Sequence, residues 1–434
     1  MAAPKFNNLE LELAPFGLEP LHDYELGGHH PVHLGDLLGD DGRYRAIHKL
    51  GNGGFANIWL CRGMKAWETT KYVALKVLMA EVSSTDECPE LRASELRNLL
   101  PTSQDNDGIT DSICLPLDHL TIHGPNGDHL CLVYPLLGPK VSLGLFHSPR
   151  DADRTLRMIC FKVVQVVEFL HSHGICHGDI TPSNILQHIS GLDGLAEDEV
   201  LQIIGTPIRN QVIRKASTQG HDEPTQYIGE QPYLIDFGES FEASQSLEDL
   251  GTPGPYRSPE LILDNAAGTG SDLWALGCTL FEIRTGRKLF NPFDDDDDTY
   301  LDEMVQVLGK LPEPWWSTTW AERKRLYKDN TDEQGRAVAA MEPKATEVGD
   351  SREESTRIRR VVHPSIAEGA RSLCDKLAPG LWYLSSRGRD GDHHRAISQR
   401  EMEVFADLLG KLLDYEPKRR ITANVALSHE WFRL

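Results

Sequence analysis

The chain has 434 residues, 40% of them hydrophobic, and its 66 acidic against 44 basic side chains give a net charge of −22. That apolar share supports a sizeable core and excludes a wholly disordered chain. The surplus of acid argues against a binder of nucleic acid or anionic membrane, whose dense negative charge this surface field repels, so basic proteins are the expected partners. Eight cysteines are present, none at a CxxC spacing, which points to reduced thiols rather than a zinc knuckle or a disulfide framework. The first residues, MAAPKFNNLELELAPFG, lack an apolar run of signal-peptide length, and no later stretch reaches membrane-spanning length. The expectation is a monomer in the cytoplasm, the nucleus or both.

Residues 1–43 mix Pro, Gly, His and Asp without period and read as an N-terminal extension. Strand signals then recur at Tyr44 to Leu50, Asn57 to Cys61, Tyr72 to Leu78 and His129 to Tyr134, with one helix-like stretch, Glu90 to Leu100, between them. This predicts a small sheet-rich lobe over 44–137. From residue 138 onward the character is helical. Thr155 to His173 carries Ile159, Val163, Val166, Val167 and Leu170 at helical spacing, and Asp272 to Thr285 is apolar on most sides, as a buried central helix would be. Within this second lobe, 138–434, residues 188–230 and about 300–400 read as insertions. The polar 188–230 stretch and the charged 344–360 stretch are expected to be partly mobile.

Four constellations carry chemistry. The hairpin Gly51-Asn52-Gly53-Gly54-Phe55-Ala56, continuing to Ile58, joins two strand-like runs, and its glycines would let backbone amides approach an anionic ligand; a plain turn is the alternative. Lys76 ends the apolar run Val73-Ala74-Leu75 and needs a counter-charge, for which Glu95 in the following helix-like stretch is the expected source. Cys176 to Leu186 places Asp179 and Asn184 in a Pro-containing loop after the long helix. There a carboxylate can orient a substrate hydroxyl and take its proton, and an amide oxygen can complete a Mg²⁺ shell. Asp236-Phe237-Gly238 supplies a second carboxylate for the metal.

Taken in this order, these elements resemble the eukaryotic protein kinases over about Tyr44 to Leu434. The resemblance continues through Ser258-Pro259-Glu260, the Asp272, Trp274 and Gly277 helix, and Arg420, which in that family pairs with the glutamate that Glu260 matches. It narrows to the SR-protein kinases on His30-Pro31-Val32, Gly35-Asp36, Gly42-Arg43-Tyr44 and Trp59-Leu60-Cys61, while Arg257 and Leu308 to Pro312 are similar to the wider group that includes cyclin-dependent and MAP kinases. The resemblance implies an α+β fold of two lobes, a small β-rich one and a larger α-helical one. It implies ATP and Mg²⁺ as cofactors, and transfer of the γ-phosphoryl group to Ser or Thr of Arg/Ser-rich proteins. Lys76 would hold the α- and β-phosphates, Glu95 would orient it, Asp179 would be the base, and Asn184 and Asp236 would bind Mg²⁺. Ala74, Tyr134, Pro135 and Leu137 would border the adenine, the contacts of Pro135 and Leu137 being made by backbone.

Two departures stand out. Gly178 occupies the arginine position of the family's HRD triplet, which removes the guanidinium that would read a phosphate on the activation segment. Thr181 stands where a lysine usually contacts the transferred phosphoryl group, leaving one neutral donor in its place. The rival readings are a small-molecule kinase of the aminoglycoside and choline type, and a pseudokinase scaffold. The acidic run Asp294 to Asp298 reads either as a solvated loop or as a docking surface for arginine-rich protein. Trp315-Trp316 reads as packing, and the pairs His29/His30 and His393/His394 lack a third metal ligand at a fitting spacing.

Overall fold

The structure is a computed structural model that describes residues 21–39, 41–65, 72–98, 112–141, 149–204, 228–245, 250–332, 337–340, 372–383 and 393–434. The first twenty residues, the 344–360 stretch and most of the 205–230 stretch lie outside the described residues. The chain divides into two compact units, Met1–Pro139 with Leu186–Gly238, and Lys140–Ile185 with Glu239–Leu434.

The first unit is built on an antiparallel sheet. Its strands are β1 (Leu37–Leu38), β2 (Tyr44–Asn52), β3 (Ala56–Gly63), β4 (Tyr72–Leu78), β5 (Asp118–Gly124) and β6 (Gly127–Pro135), in spatial order β1-β2-β3-β4-β6-β5. Alternation along each strand gives the sheet two faces. One face buries Tyr44, Ala46, Trp59, Cys61, Val73, Leu75, Val77, Cys131 and Val133, with Val32 and Leu34 packed against them. The other face carries Leu60, Tyr72, Lys76, Leu78, Leu130 and Leu132. Helix α1 (Pro89–Ala93) brings Leu91 and neighbouring Cys88 onto its Leu78, Leu130 and Leu132.

The 188–230 stretch departs from expectation. Sequence position assigned it to the second lobe as a partly mobile insertion, yet its described part folds with the first unit. After β8 (Ile185–Ile189) the chain turns into helix α3 (Glu197–Ile204) and returns as β9 (Ile228–Leu234), which pairs with β8. Val200 is fully buried, and with Leu192, Leu195, Ile203 and Ile204 it packs on Ile47, Leu60, Tyr72 and Leu136. Polar ties hold the same contact: the Tyr72 hydroxyl donates to the Leu195 carbonyl at 3.1 Å, and Glu197 pairs with Arg45 and Arg62. Surrounding polarity hid an amphipathic helix of eight residues, whose apolar stripe is visible only once Val200, Ile203 and Ile204 are seen to share a face.

In the second unit, α2 (Pro149–Ser172) precedes β7 (Ile175–Cys176), which pairs antiparallel with β10 (Phe241–Glu242). Helices α4 (Pro259–Asp264), α5 (Thr269–Thr285) and α6 (Asp297–Leu308) follow. α5 is buried along nearly its whole length, Trp274 being fully enclosed. A buried ion pair anchors it: Arg420 donates to both oxygens of Glu260, at 2.6 and 2.7 Å, and to the Gly270 carbonyl, while its guanidinium lies 5.0 Å from the Trp274 ring centre. Two parallel bonds satisfy both charges together, as burial demands. Trp315 and Trp316 are buried and Trp316 packs against Trp320 and Tyr327, in accord with the packing reading.

Candidate active site

Each unit contributes one constellation. In the first, the glycine hairpin closes β2 and β3 through a bond from the Gly53 amide to the Ala56 carbonyl at 2.8 Å. None of Gly51, Gly53 and Gly54 has a positive φ. A Cβ on Gly51 or Gly54 would meet nothing within 4 Å, and one on Gly53 only the Ala56 carbonyl oxygen at 3.9 Å. The fold itself thus places no demand for glycine at these positions. Bare backbone on an open hairpin fits a ligand that must come close to the amides, as a polyphosphate does. Phe55 stands exposed at the tip.

Lys76 lies on β4 opposite Ile58 of β3 and Leu132 of β6, and two residue pairs along, on the same face, is Ala74 opposite Tyr134. Its ammonium donates to Glu90 Oε1 at 2.5 Å and to Asp236 Oδ1 at 2.8 Å. Burial alone would push this amine's pKa down, but the two carboxylates outweigh it and hold the pKa above the usual lysine value, so Lys76 is a fixed cation. The partner is not the expected Glu95, which is exposed on the tight turn Ser94–Asn98. Two residues five apart point about 140° from each other around a helix, so only one of them can face the sheet. Pro89 opens α1 at its first position and fixes Glu90, 3% exposed, in the inward turn. A proline that can start a helix was the available signal, since it makes Glu90 a first-turn residue.

Asp236 follows β9 with φ +63°, a left-handed backbone that aspartate tolerates better than most side chains, and its carboxyl is 43% exposed beyond the Lys76 contact. The next residue, Phe237, is buried. Pro135 ends β6, and the backbone beyond it is tied by bonds between Gly138 and Gln187 and between Gln187 and Pro139. Leu136 and Leu137 are half-buried there.

The second unit holds the loop after α2. Asn184 Nδ2 donates to Asp179 Oδ2 at 2.7 Å and to the Asp179 carbonyl at 3.0 Å, so the amide nitrogen orients the carboxylate and leaves the amide oxygen as the end suited to a metal. Buried Thr181 precedes the turn Pro182–Asn184 that carries Asn184. Asp272, almost fully buried at the start of α5, accepts from the amides of His177 at 2.8 Å and Gly178 at 2.9 Å, and pairs with His171. Thr252 Oγ1 donates to the Gly178 carbonyl at 2.7 Å. The peptide leading into Asp179 is thereby clamped at both ends.

Gly178 proves to be more than a missing arginine. Its φ is +81°, and a Cβ there would sit 2.4 Å from the Glu239 carbonyl oxygen. Glycine is what this close approach requires. Contacts without phosphate hold the neighbouring segment: Glu239 accepts from the Gly251 amide, and Arg257 donates to the Thr252 carbonyl and to Asp297. The acidic run is also partly engaged. Asp296 caps α6, Asp295 accepts from Tyr300, and Asp298 accepts from Trp320, while Asp294, Asp295 and Asp297 are exposed.

No group of three or more His, Cys, Asp or Glu side chains suited to a metal occurs among the described residues. Mg²⁺ in nucleotide sites prefers oxygen donors and completes its shell with phosphates and water; the half-exposed Asp236 carboxyl of the first unit and the Asn184 amide oxygen of the second are each donors of that chemistry. All eight cysteines are free and all but Cys374 are buried. No described helix is long and apolar enough to cross a membrane.

A β-rich unit carrying a lysine ion-paired to two carboxylates, together with a helical unit carrying the Asp179–Asn184 loop, defines the two-lobed protein kinase fold. The chain matches the protein kinase domain family over residues 44–432 and belongs to that family. Among curated proteins it is 29% identical to the serine/threonine-protein kinase SRPK of Physarum polycephalum, over 95% of this chain and 91% of that one. It is 25% identical to the dual specificity protein kinase CLK2 of Mus musculus, over 93% of this chain and 66% of that one. It is 26% identical to the serine/threonine-protein kinase AFC3 of Arabidopsis thaliana, over 95% of this chain and 87% of that one.

Proposed function

We propose that the protein transfers the γ-phosphoryl group of ATP to serine or threonine hydroxyls of arginine-rich proteins, Arg/Ser repeats among them, in the cytoplasm or nucleus. The observation that carries the reading is the Lys76 ammonium held between Glu90 and Asp236. A buried cation with its partners already in place is preorganised to meet a polyphosphate without reorganising during the reaction. In the reaction the substrate oxygen forms a bond to the γ-phosphorus, the bond from that phosphorus to the β,γ-bridging oxygen breaks, and ADP leaves with the electron pair. Asp179 orients the hydroxyl and receives its proton. Lys76 neutralises the α- and β-phosphates, and the backbone of Gly51 to Ala56 lies along them. Asn184 and Asp236 would hold Mg²⁺, which when bound neutralises the phosphate charge. Thr181 offers one hydroxyl where a cation is usual in this family.

The substrate class rests on charge. A net −22, with exposed Asp294, Asp295 and Asp297, the last of them paired with Arg257, favours cationic segments over acidic ones. A radiolabelled ATP assay against an Arg/Ser peptide, a Ser-Pro peptide and an aminoglycoside and choline panel tests the reading. Label on the Arg/Ser peptide in preference to the others, with a rate that falls as salt rises, is the expected result. Label on the small molecules alone would overturn it, as would Mg·ATP binding without transfer to any acceptor.

A further inference from the structure

Glu90 is held by very little of its own helix. α1 spans five residues, and its N-cap, Cys88, makes no side-chain bond to it. The carboxylate is nonetheless buried, its side chain 4% exposed, and its two oxygens are divided: Oε1 accepts from Lys76, and Oε2 accepts from the hydroxyl of Tyr134. Tyr134 stands on β6 directly across the ladder from Ala74, two residues from the Lys76 partner Leu132, so its ring lies on the sheet face that carries Lys76.

We propose that Tyr134 is a positioning residue of the ATP site, whose hydroxyl fixes the Glu90 carboxylate and through it the direction of the Lys76 ammonium. The proposal rests on the ATP reading above and adds a role that a residue bordering the adenine would not by itself have. A short helix turn leaves a glutamate free to rotate about its side-chain torsions. A second donor, anchored in the central sheet, removes that freedom, so that the carboxylate presents one oxygen to Lys76 and keeps the other occupied. Burial, with the adjacent Glu90 charge, holds the phenol far above its usual pKa, so it stays a donor at every physiological pH. Without the hydroxyl, Oε2 becomes a buried acceptor lacking this donor, and Glu90 gains a reason to turn away from Lys76.

The test is a double-mutant cycle on the full chain with Tyr134→Phe, Glu90→Gln and the double variant. It reads kcat/KM for ATP, the Kd of Mg·ATP by equilibrium binding, and the melting temperature. Tyr134→Phe keeps the ring and is expected to lose about 5- to 10-fold in kcat/KM for ATP with little change in KM for the protein substrate. The double variant is expected to be no worse than Glu90→Gln alone, because the hydroxyl acts only through that carboxylate. Additive losses, or a Tyr134→Phe enzyme equal to wild type, overturn the proposal, since a ring that merely fills space would behave so. Tyr134→Met carries the same cycle if the phenylalanine variant folds poorly. A wild-type protein that transfers phosphate to no acceptor would sink the functional reading instead, and the cycle on Mg·ATP affinity still decides this one.

Discussion

The Lys76 constellation and the Asp179 loop both hold charged groups still, and they do it by opposite means. Around Lys76, charge is fixed by charge: partners 14 and 160 residues away meet in a site where the ammonium is only 14% exposed. Around Asp179, the carboxylate is oriented by a neutral amide five residues away, and the backbone leading into it is clamped by Asp272 and Thr252. Removing one member of the first set leaves a buried charge uncompensated. Removing a clamp of the second set frees a loop, at a cost set by backbone conformation and unsatisfied amides.

The largest break expected is in the clamped loop. Gly178→Ala forces a Cβ against the Glu239 carbonyl at a left-handed φ, and is expected to cost about 3 kcal/mol of stability. Thermal unfolding should show a fall of several degrees, with kcat reduced in the remaining folded enzyme; an unchanged melting temperature would mean the loop has another accessible conformation. A smaller break separates the two glutamates. Glu90→Gln should lower kcat/KM for ATP by about 10- to 100-fold, the range for removing one charged hydrogen-bonding partner, while Glu95→Gln should change it by less than about 2-fold. The reverse order would return the partnership to Glu95.

Much of this site was legible in the sequence because its residues announce themselves locally. The glycine hairpin, the apolar run leading into Lys76, the Asp179–Asn184 loop and Asp236-Phe237-Gly238 are short patterns, and the Arg420–Glu260 pair followed from the family resemblance. What stayed hidden depends on facing. Choosing Glu90 over Glu95 needs the helical phase set by Pro89, and the two differ by less than half a turn of direction. The role of Gly178 depends on how close Glu239 lies, which no local pattern contains. Helix α3 looked like a polar insertion because its few apolar residues find their partners, Ile47, Leu60 and Tyr72, more than a hundred residues earlier in the chain. The Tyr134 hydroxyl meets Glu90 across 44 residues for the same reason.

A protein kinase built on these groups must move phosphate with Asp179 in place. The most direct measurement compares wild type with Asp179→Asn in a single-turnover assay with radiolabelled ATP and an Arg/Ser peptide, alongside Mg·ATP affinity measured by equilibrium binding. The prediction is that Asp179→Asn binds Mg·ATP like wild type and transfers label at least about 100-fold more slowly, the loss of a positioned base. Transfer at the wild-type rate by the Asp179→Asn enzyme would contradict it.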